Sequence, residues 1–240
     1  MNVTLKILRR ERDVKESFWQ CFRYVPKTDN DTVATALTEL NKRENLTDAD
    51  GNPARSVEWE CSCLQKKCGA CAMVIDGRPR LACDAPLREF VKAGRVRVEP
   101  LRKFPVVADL VVDRSVMFEN LKTLRLWFEA EARISEAAEE LAYDASRCLQ
   151  CGCCLEICPN FYAGGSFFGM ATVPITTRLL TEMTPKEYRV LAKLYAAHTF
   201  AGCGKSLACK DICPKKIDTE KLMVNANALA LWKRKKENRT

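Results

Sequence analysis

Apolar and polar residues alternate from the start of the chain. Val3, Leu5 and Ile7 fall on one side of an extended run, and Phe18, Gln20, Phe22 and Tyr24 on one side of a second. A period of two predicts strands, paired here as a hairpin around the connection 9–17. Asp31-Thr32 then precedes Val33, Leu37 and Leu40 at i, i+4 and i+7, which predicts a capped helix over 32–40 with one buried stripe. Asp50-Gly51-Asn52-Pro53 reads as a turn. Ala72-Met73-Val74-Ile75 and Arg80-Leu81-Ala82 flank Asp76-Gly77, a pair suited to a type I′ turn, and form a second expected hairpin. Two strands, a helix, a loop and further short strands predict a small β-grasp domain.

Proline and charge change the texture between Glu99-Pro100 and Pro105. Beyond Asp113 the period becomes helical, with Leu121, Leu124, Phe128 and Ile134 in step and 136–143 continuing the pattern. The segments 175–183, 185–197 and 219–233 also read as helices. The predicted fold class is α+β: a β-grasp domain over 1–104, then an all-α domain over 105–240 with cysteine loops between its helices. A length of 240 residues suits two such domains better than one core.

Hydrophobic content of 47% and charged content of 29% are ordinary for a globular chain. The 14 cysteines are not, and they are clustered. The N-terminus mixes charged and apolar residues without an apolar stretch, so neither a secretory signal nor, behind Arg9-Arg10, a twin-arginine signal is expected. Without export the thiols stay reduced, and reduced cysteines at tight spacing hold metal. No run of about 18 apolar residues is present, so no membrane span is expected. The net charge of +8 suits solubility, or docking to an acidic partner or an anionic membrane surface. The run Lys233-Arg234-Lys235-Lys236 reads as a solvated tail, with a lipid-facing role as its alternative.

Cys63, Cys68, Cys71 and Cys83 carry the spacing C-x4-C-x2-C with a distant fourth cysteine, that of a plant-type [2Fe-2S] ferredoxin. Such a loop bends around a flat two-iron rhomb, and the last thiolate comes from the strand that follows. Gly69 lets the backbone pass close, and Ser62 and Ala70 leave room for amide donors. Zinc also takes four thiolates, but usually through C-x2-C pairs. Cys61 is expected to be a packed thiol and Cys21 a buried small hydrophobe.

Cys148-x2-Cys151-x2-Cys154-x3-Cys158-Pro159 is a bacterial ferredoxin run, and Cys203-x2-Ser206-x2-Cys209-x3-Cys213-Pro214 is a second copy with serine at the second ligand position. The fourth cysteine of each run ligates the other cluster in two-cluster ferredoxins. That rule assigns Cys148, Cys151, Cys154 and Cys213 to a [4Fe-4S] cube. It leaves Cys158, Cys203 and Cys209 for a cluster with no fourth thiolate, a [3Fe-4S] centre. Ser206 as an oxygen ligand to a fourth iron is the alternative. Cys153 is expected to be structural.

A plant-type group before a bacterial pair that lacks one cysteine resembles the iron–sulfur subunit of succinate dehydrogenase and fumarate reductase. The matching elements are the capped helix, CSCLQKKCGAC, RLAC around Cys83, CLQCGCCLEICP and CGKSLACKDICPK. The resemblance implies a relay from FAD in a flavoprotein subunit, through the two-, four- and three-iron clusters, to a quinone. Chemistry on the dicarboxylate then belongs to the flavoprotein. Leu64 and Lys66 stand where the family commonly has arginine and glycine. Tyr162 and Gly204 stand where ubiquinone-linked members have tryptophan and histidine. CGCCLEICPNFYAGGSFFGMA is closer to menaquinone-linked bacterial members, which implies a membrane partner of cytochrome b type carrying haem b. A peripheral place on the cytoplasmic face of the bacterial membrane follows from the same resemblance.

Other residues add little. His198, the single histidine, cannot make a Rieske site, which needs two, and is expected at the surface or in the core. Trp59 suits core packing. Gly164-Gly165-Ser166 lacks the Lys-Ser/Thr of a phosphate loop. Lys66-Lys67 fits either docking of an acidic flavoprotein face or a solvated charge pair. Two competing functions are an electron-transfer module of a soluble flavoprotein reductase and a zinc-stapled nucleic-acid-binding protein. Nucleic acid is not expected as a partner.

Overall fold

The alternation at the N-terminus becomes strand β1 (Val3–Arg10), antiparallel to β2 (Ser17–Tyr24) with Val3 opposite Tyr24 and Arg10 opposite Ser17. These features come from a computed structural model that describes residues 2–132 and 139–233. Val3, Leu5 and Ile7 are fully buried, as are Phe22 and nearly all of Tyr24, whereas Phe18 at the start of β2 is exposed. Helix α1 (Val33–Asn41) opens on a reciprocal cap: the Thr35 amide donates to the Thr32 hydroxyl and the Thr32 amide to the Thr35 hydroxyl, each at 3.2 Å. Leu37 and Leu40 are wholly buried, and each such burial contributes about 1.5–3 kcal/mol.

Strands β3 (Ala72–Ile75) and β4 (Arg78–Leu81) form the expected hairpin. Its turn residues Asp76 and Gly77 have φ of +47° and +76°, as a type I′ turn requires. The Asp76 carboxylate accepts from the Arg97 amide at 2.7 Å, tying the turn to β5 (Arg95–Glu99). Strand β5 lies parallel to β1 and antiparallel to β3, giving the sheet order β2-β1-β5-β3-β4. This mixed sheet with one capped helix is the β-grasp arrangement that the pattern predicted.

The first compact unit continues through a small hairpin, β6 (Val106–Ala108) and β7 (Val111–Val112), to Asp113, beyond the boundary expected near residue 104. Between the two strands sits Asp109, fully buried, on which the Arg9 guanidinium (3.0 Å), the Arg55 guanidinium (2.8 Å) and the amides of Arg10 (3.0 Å) and Glu58 (2.9 Å) converge. A carboxylate so fully bonded fastens the hairpin to β1.

The second unit, from Arg114 onward, is helical. It contains α2 (Ser115–Thr123), α3 (Glu139–Ser146), the short α4 (Cys153–Ile157), α5 (Val173–Glu182), α6 (Pro185–Tyr195) and α7 (Thr219–Asn227). The helical period expected through Leu124 and Phe128 is not realised. Arg125 has φ of +53°, and a left-handed residue cannot continue a right-handed helix. Ile134 and 136–138 lie outside the described residues, as do Arg234, Lys235 and Lys236. Helix α6 begins with Pro185 behind a Thr184–Glu187 capping box, and α7 is capped by Asp218, whose carboxylate accepts from the Lys221 amide at 2.9 Å. Val173, Leu179, Leu191, Tyr195 and Leu222 are central to the buried core of this unit. No helix among the described residues is long and apolar enough to cross a membrane.

Candidate cluster-binding sites

The loop that carries Cys63, Cys68 and Cys71 is held from its root. Asn41, the last residue of α1, exchanges two side-chain hydrogen bonds of 2.8 Å with the backbone of Val57, and Arg9 donates to the Ser56 carbonyl at 2.9 Å. Four residues beyond Val57 the chain turns into the cysteine loop. Its backbone curls so that the amides of Gln65 and Lys67 both donate to Cys63 Sγ at 3.3 Å, while the Ala70 amide donates to Cys68 Sγ at 3.5 Å. Those amides hold the Cys63 thiol down to about 7, so it ionises readily. Cys83, just past β4, lies 3.4 Å from Cys71, Sγ to Sγ; the Cys71 proton shared between them lowers Cys83 to about 6 and raises Cys71. Lys66 pairs with Asp84 at 2.7 Å and so ties the middle of the loop to the Cys83 segment.

Leu64 and Lys66, the two departures from the usual loop, have φ of +51° and +58°. The loop thus keeps a left-handed backbone at positions where side chains other than glycine are strained. Neither leucine nor lysine marks such a conformation in a sequence.

In the second unit the thiols gather around two cavities. One is lined by Cys148, Cys151, Cys154 and Cys213, with Gln150, Pro174 and Ile217 among its walls. The other is lined by Cys158, Cys203 and Cys209, with Ser206, Phe167, Met170 and Met223. The fourth cysteine of each run therefore crosses to the cavity of the other run. Burial pushes Cys148 up to about 11 and also raises Cys154 well above its ordinary value, the latter with the thiols of Cys151, Cys148, Cys209 and Cys213 adding to the effect. Burial likewise raises Cys209, partly offset by the hydroxyl of Thr219 at the start of α7. Thiolates crowded into such a pocket repel one another, and a cationic iron core is the group that relieves the repulsion. Among the described residues no three His, Cys, Asp or Glu side chains converge as a single metal ion needs. Four thiols around one cavity and three around the other supply the donor sets that multi-iron clusters take.

The two ligand loops share one backbone. Gln150 and Gly152 flank Cys151 with φ of +50° and +86°, and Lys205 and Leu207 flank Ser206 with φ of +54° and +55°. Ser206 thus stands in the same backbone frame as Cys151.

The remaining candidates fall into place individually. Cys61 is exposed, not packed, because it belongs to the open approach to the loop; Cys21 is half-buried on β2 rather than fully buried. Cys153 is buried within α4, where its thiol donates to Cys151 and helps to lower that group to about 7. His198 is half-buried and stacks on Phe168, ring centroids 4.5 Å apart. Trp59 is half-buried. Tyr162 is largely exposed with its ring over Gly165, where a Cβ would meet Tyr162 Cζ at 2.8 Å. At Gly204 a Cβ would lie 3.0 Å from Asn160 Nδ2, so the asparagine fills the space beside that glycine.

A β-grasp domain with a plant-type cysteine loop and a helical domain with paired ferredoxin runs together define an iron–sulfur protein of two cluster-binding domains. Residues 4–119 match the 2Fe-2S iron-sulfur cluster binding domain family, and residues 144–217 the 4Fe-4S dicluster domain family. The chain is 36% identical over 204 residues to the succinate dehydrogenase iron-sulfur subunit of Bacillus subtilis, covering 80% of this chain and 79% of that one. It is 31% identical over 204 residues to the fumarate reductase iron-sulfur subunit of Mycobacterium tuberculosis, covering 81% and 78%. A chain of the Mycobacterium smegmatis Sdh1 complex has the same fold, with a TM-score of 0.73 at 20% identity over 97% of both chains. The chain belongs to the family of iron–sulfur subunits of succinate dehydrogenase and fumarate reductase, and is a subunit of an oxidoreductase complex.

Proposed function

We propose that the chain relays single electrons between the FAD of a flavoprotein subunit and a quinone, menaquinone in particular, beside a cytochrome b membrane subunit carrying haem b. The observation that carries this reading is the sorting of the ferredoxin-run cysteines into two cavities, one with four thiols and one with three and a serine. In this reading Cys63, Cys68, Cys71 and Cys83 hold [2Fe-2S]. Cys148, Cys151, Cys154 and Cys213 hold [4Fe-4S], and Cys158, Cys203 and Cys209 hold [3Fe-4S]. The clusters supply one-electron steps that split a two-electron flavin reaction.

The chain's own residues do the rest. Amides of Gln65 and Lys67 favour the thiolate of Cys63, and Phe167, Met170 and Met223 give the three-thiol cavity an apolar wall. The unit that ends at Asp113 and the unit from Arg114 onward would divide this work, the β-grasp part with the two-iron site and the helical part with the other two. The complex would sit at the cytoplasmic face of the bacterial membrane, this chain being peripheral. Tyr162 and Gly204 favour the menaquinone-linked type, because the tryptophan and histidine of ubiquinone-linked members are absent there.

The test is low-temperature electron paramagnetic resonance with iron analysis on the purified protein. Three distinct centres, a signal from a three-iron centre in the oxidised state and about nine irons per chain are expected. A colourless protein with bound zinc would overturn the reading. Purification as a two-subunit soluble complex without haem would overturn the membrane partner alone.

A further inference from the structure

Gln150 lies in the first ligand loop, between Cys148 and Cys151, and lines the four-thiol cavity. Its side-chain nitrogen donates to the Ala171 carbonyl at 2.9 Å and to Cys148 Sγ at 3.3 Å. The orientation of the amide is dictated rather than free: a carbonyl oxygen accepts only, so the nitrogen must face Ala171. Its second N–H is then left for the sulfur. The side-chain oxygen is buried without a partner, an arrangement that costs free energy and marks the amide as held for its donor end. The backbone of Gln150, at φ of +50°, is itself in the strained left-handed region. Leu149, Ile217 and Pro174 around it supply no competing hydrogen-bond groups from their side chains.

From this geometry we infer that Gln150 is a positioning residue that sets the reduction potential of the group held by Cys148, Cys151, Cys154 and Cys213, through its N–H···S bond to Cys148. The inference rests on the proposed [4Fe-4S] assignment. Reduction adds negative charge that spreads onto the ligand sulfurs. A donor aimed at one of them stabilises the reduced state more than the oxidised one and raises the potential. The corresponding residue of the second loop, Lys205, presents no amide, so the effect belongs to one cluster only.

The experiment is redox titration of Gln150→Leu in the full-length chain with the partners that purify with it, followed by electron paramagnetic resonance. The variant is expected to keep its iron and acid-labile sulfide and to move only the four-iron midpoint to a more negative value. An up to tenfold loss in the reduced-to-oxidised ratio at fixed potential corresponds to about 59 mV for one electron. The two-iron and three-iron midpoints should stay in place. An unmoved four-iron midpoint with full iron content overturns the inference.

Should Gln150→Leu fail to assemble, the wild-type protein labelled with 15N at glutamine side chains decides the matter. Pulsed resonance of the reduced four-iron cluster should show a coupled 15N nucleus, and its absence overturns the inference. Absence of any four-iron signal in the wild type overturns the underlying assignment instead, so the two failures are distinct.

Discussion

Ser206 occupies in the second ligand loop the position that Cys151 occupies in the first, each between two residues of positive φ. Each also lines its own cavity, Cys151 with three further thiols and Ser206 with Cys158, Cys203 and Cys209. At this position the two loops differ by one atom, oxygen for sulfur, between residues of the same left-handed backbone.

Ser206→Cys therefore completes a four-thiolate set without remodelling the loop. The oxidised-state three-iron signal should vanish, and iron should rise from about nine to about ten per chain. Persistence of the three-iron signal at full strength would show that the backbone frame alone does not place a ligand.

Gly169 packs beneath the three-thiol cavity with φ of +72° and ψ of −171°, a region essentially restricted to glycine. A Cβ there would collide with Leu155 Cδ2. Gly169→Ala should lose about 1–3 kcal/mol of stability and lower the iron occupancy of that cavity first. Thermal unfolding and iron analysis check this; an unchanged melting temperature would refute it.

Arg9 and Asp109 form an ion pair of 3.0 Å with both side chains fully buried. Burial raises the Asp109 carboxyl, but the Arg9 guanidinium and the amides of Glu58 and Arg10 outweigh it and hold the group below its ordinary value. A carboxyl whose folded pKa is depressed stabilises the fold fully above its unfolded pKa of about 3.9, and that stability is lost as pH falls through the lower folded value. Asp109→Ala leaves Arg9 buried without a counter-charge and should cost about 3–5 kcal/mol. Chemical denaturation at pH 7 measures the loss. Between pH 5 and 2 the variant should show a smaller acid destabilisation than the wild type; parallel curves would reject the pair as the source.

Much of the fold was legible in the chain because its signals are local. Alternation in Val3, Leu5 and Ile7, the Thr32 cap and the Asp76-Gly77 turn each act within a few residues, and each element formed as the pattern implied. The helix expected past Leu124 did not, since the left-handed turn at Arg125 leaves no mark in an apolar period. Cys61 misled for a related reason: a thiol's exposure depends on what the fold lays against it.

By itself the sequence determined the donor chemistry: which residues are thiols, how they are spaced, and that one position of a repeated run holds serine. Those are covalent properties of the chain, and no fold can alter them. The grouping of Cys213 with Cys148, Cys151 and Cys154, and of Cys158 with Cys203 and Cys209, followed already from the ferredoxin spacing rule. Only the tertiary structure decided that Asp109 anchors β1 to a distant hairpin. It also decided where Gln150 aims its N–H. The physical reason is the same throughout: these contacts join residues far apart along the chain. Buried donors, acceptors and thiols find their partners only once packing has removed water from around them.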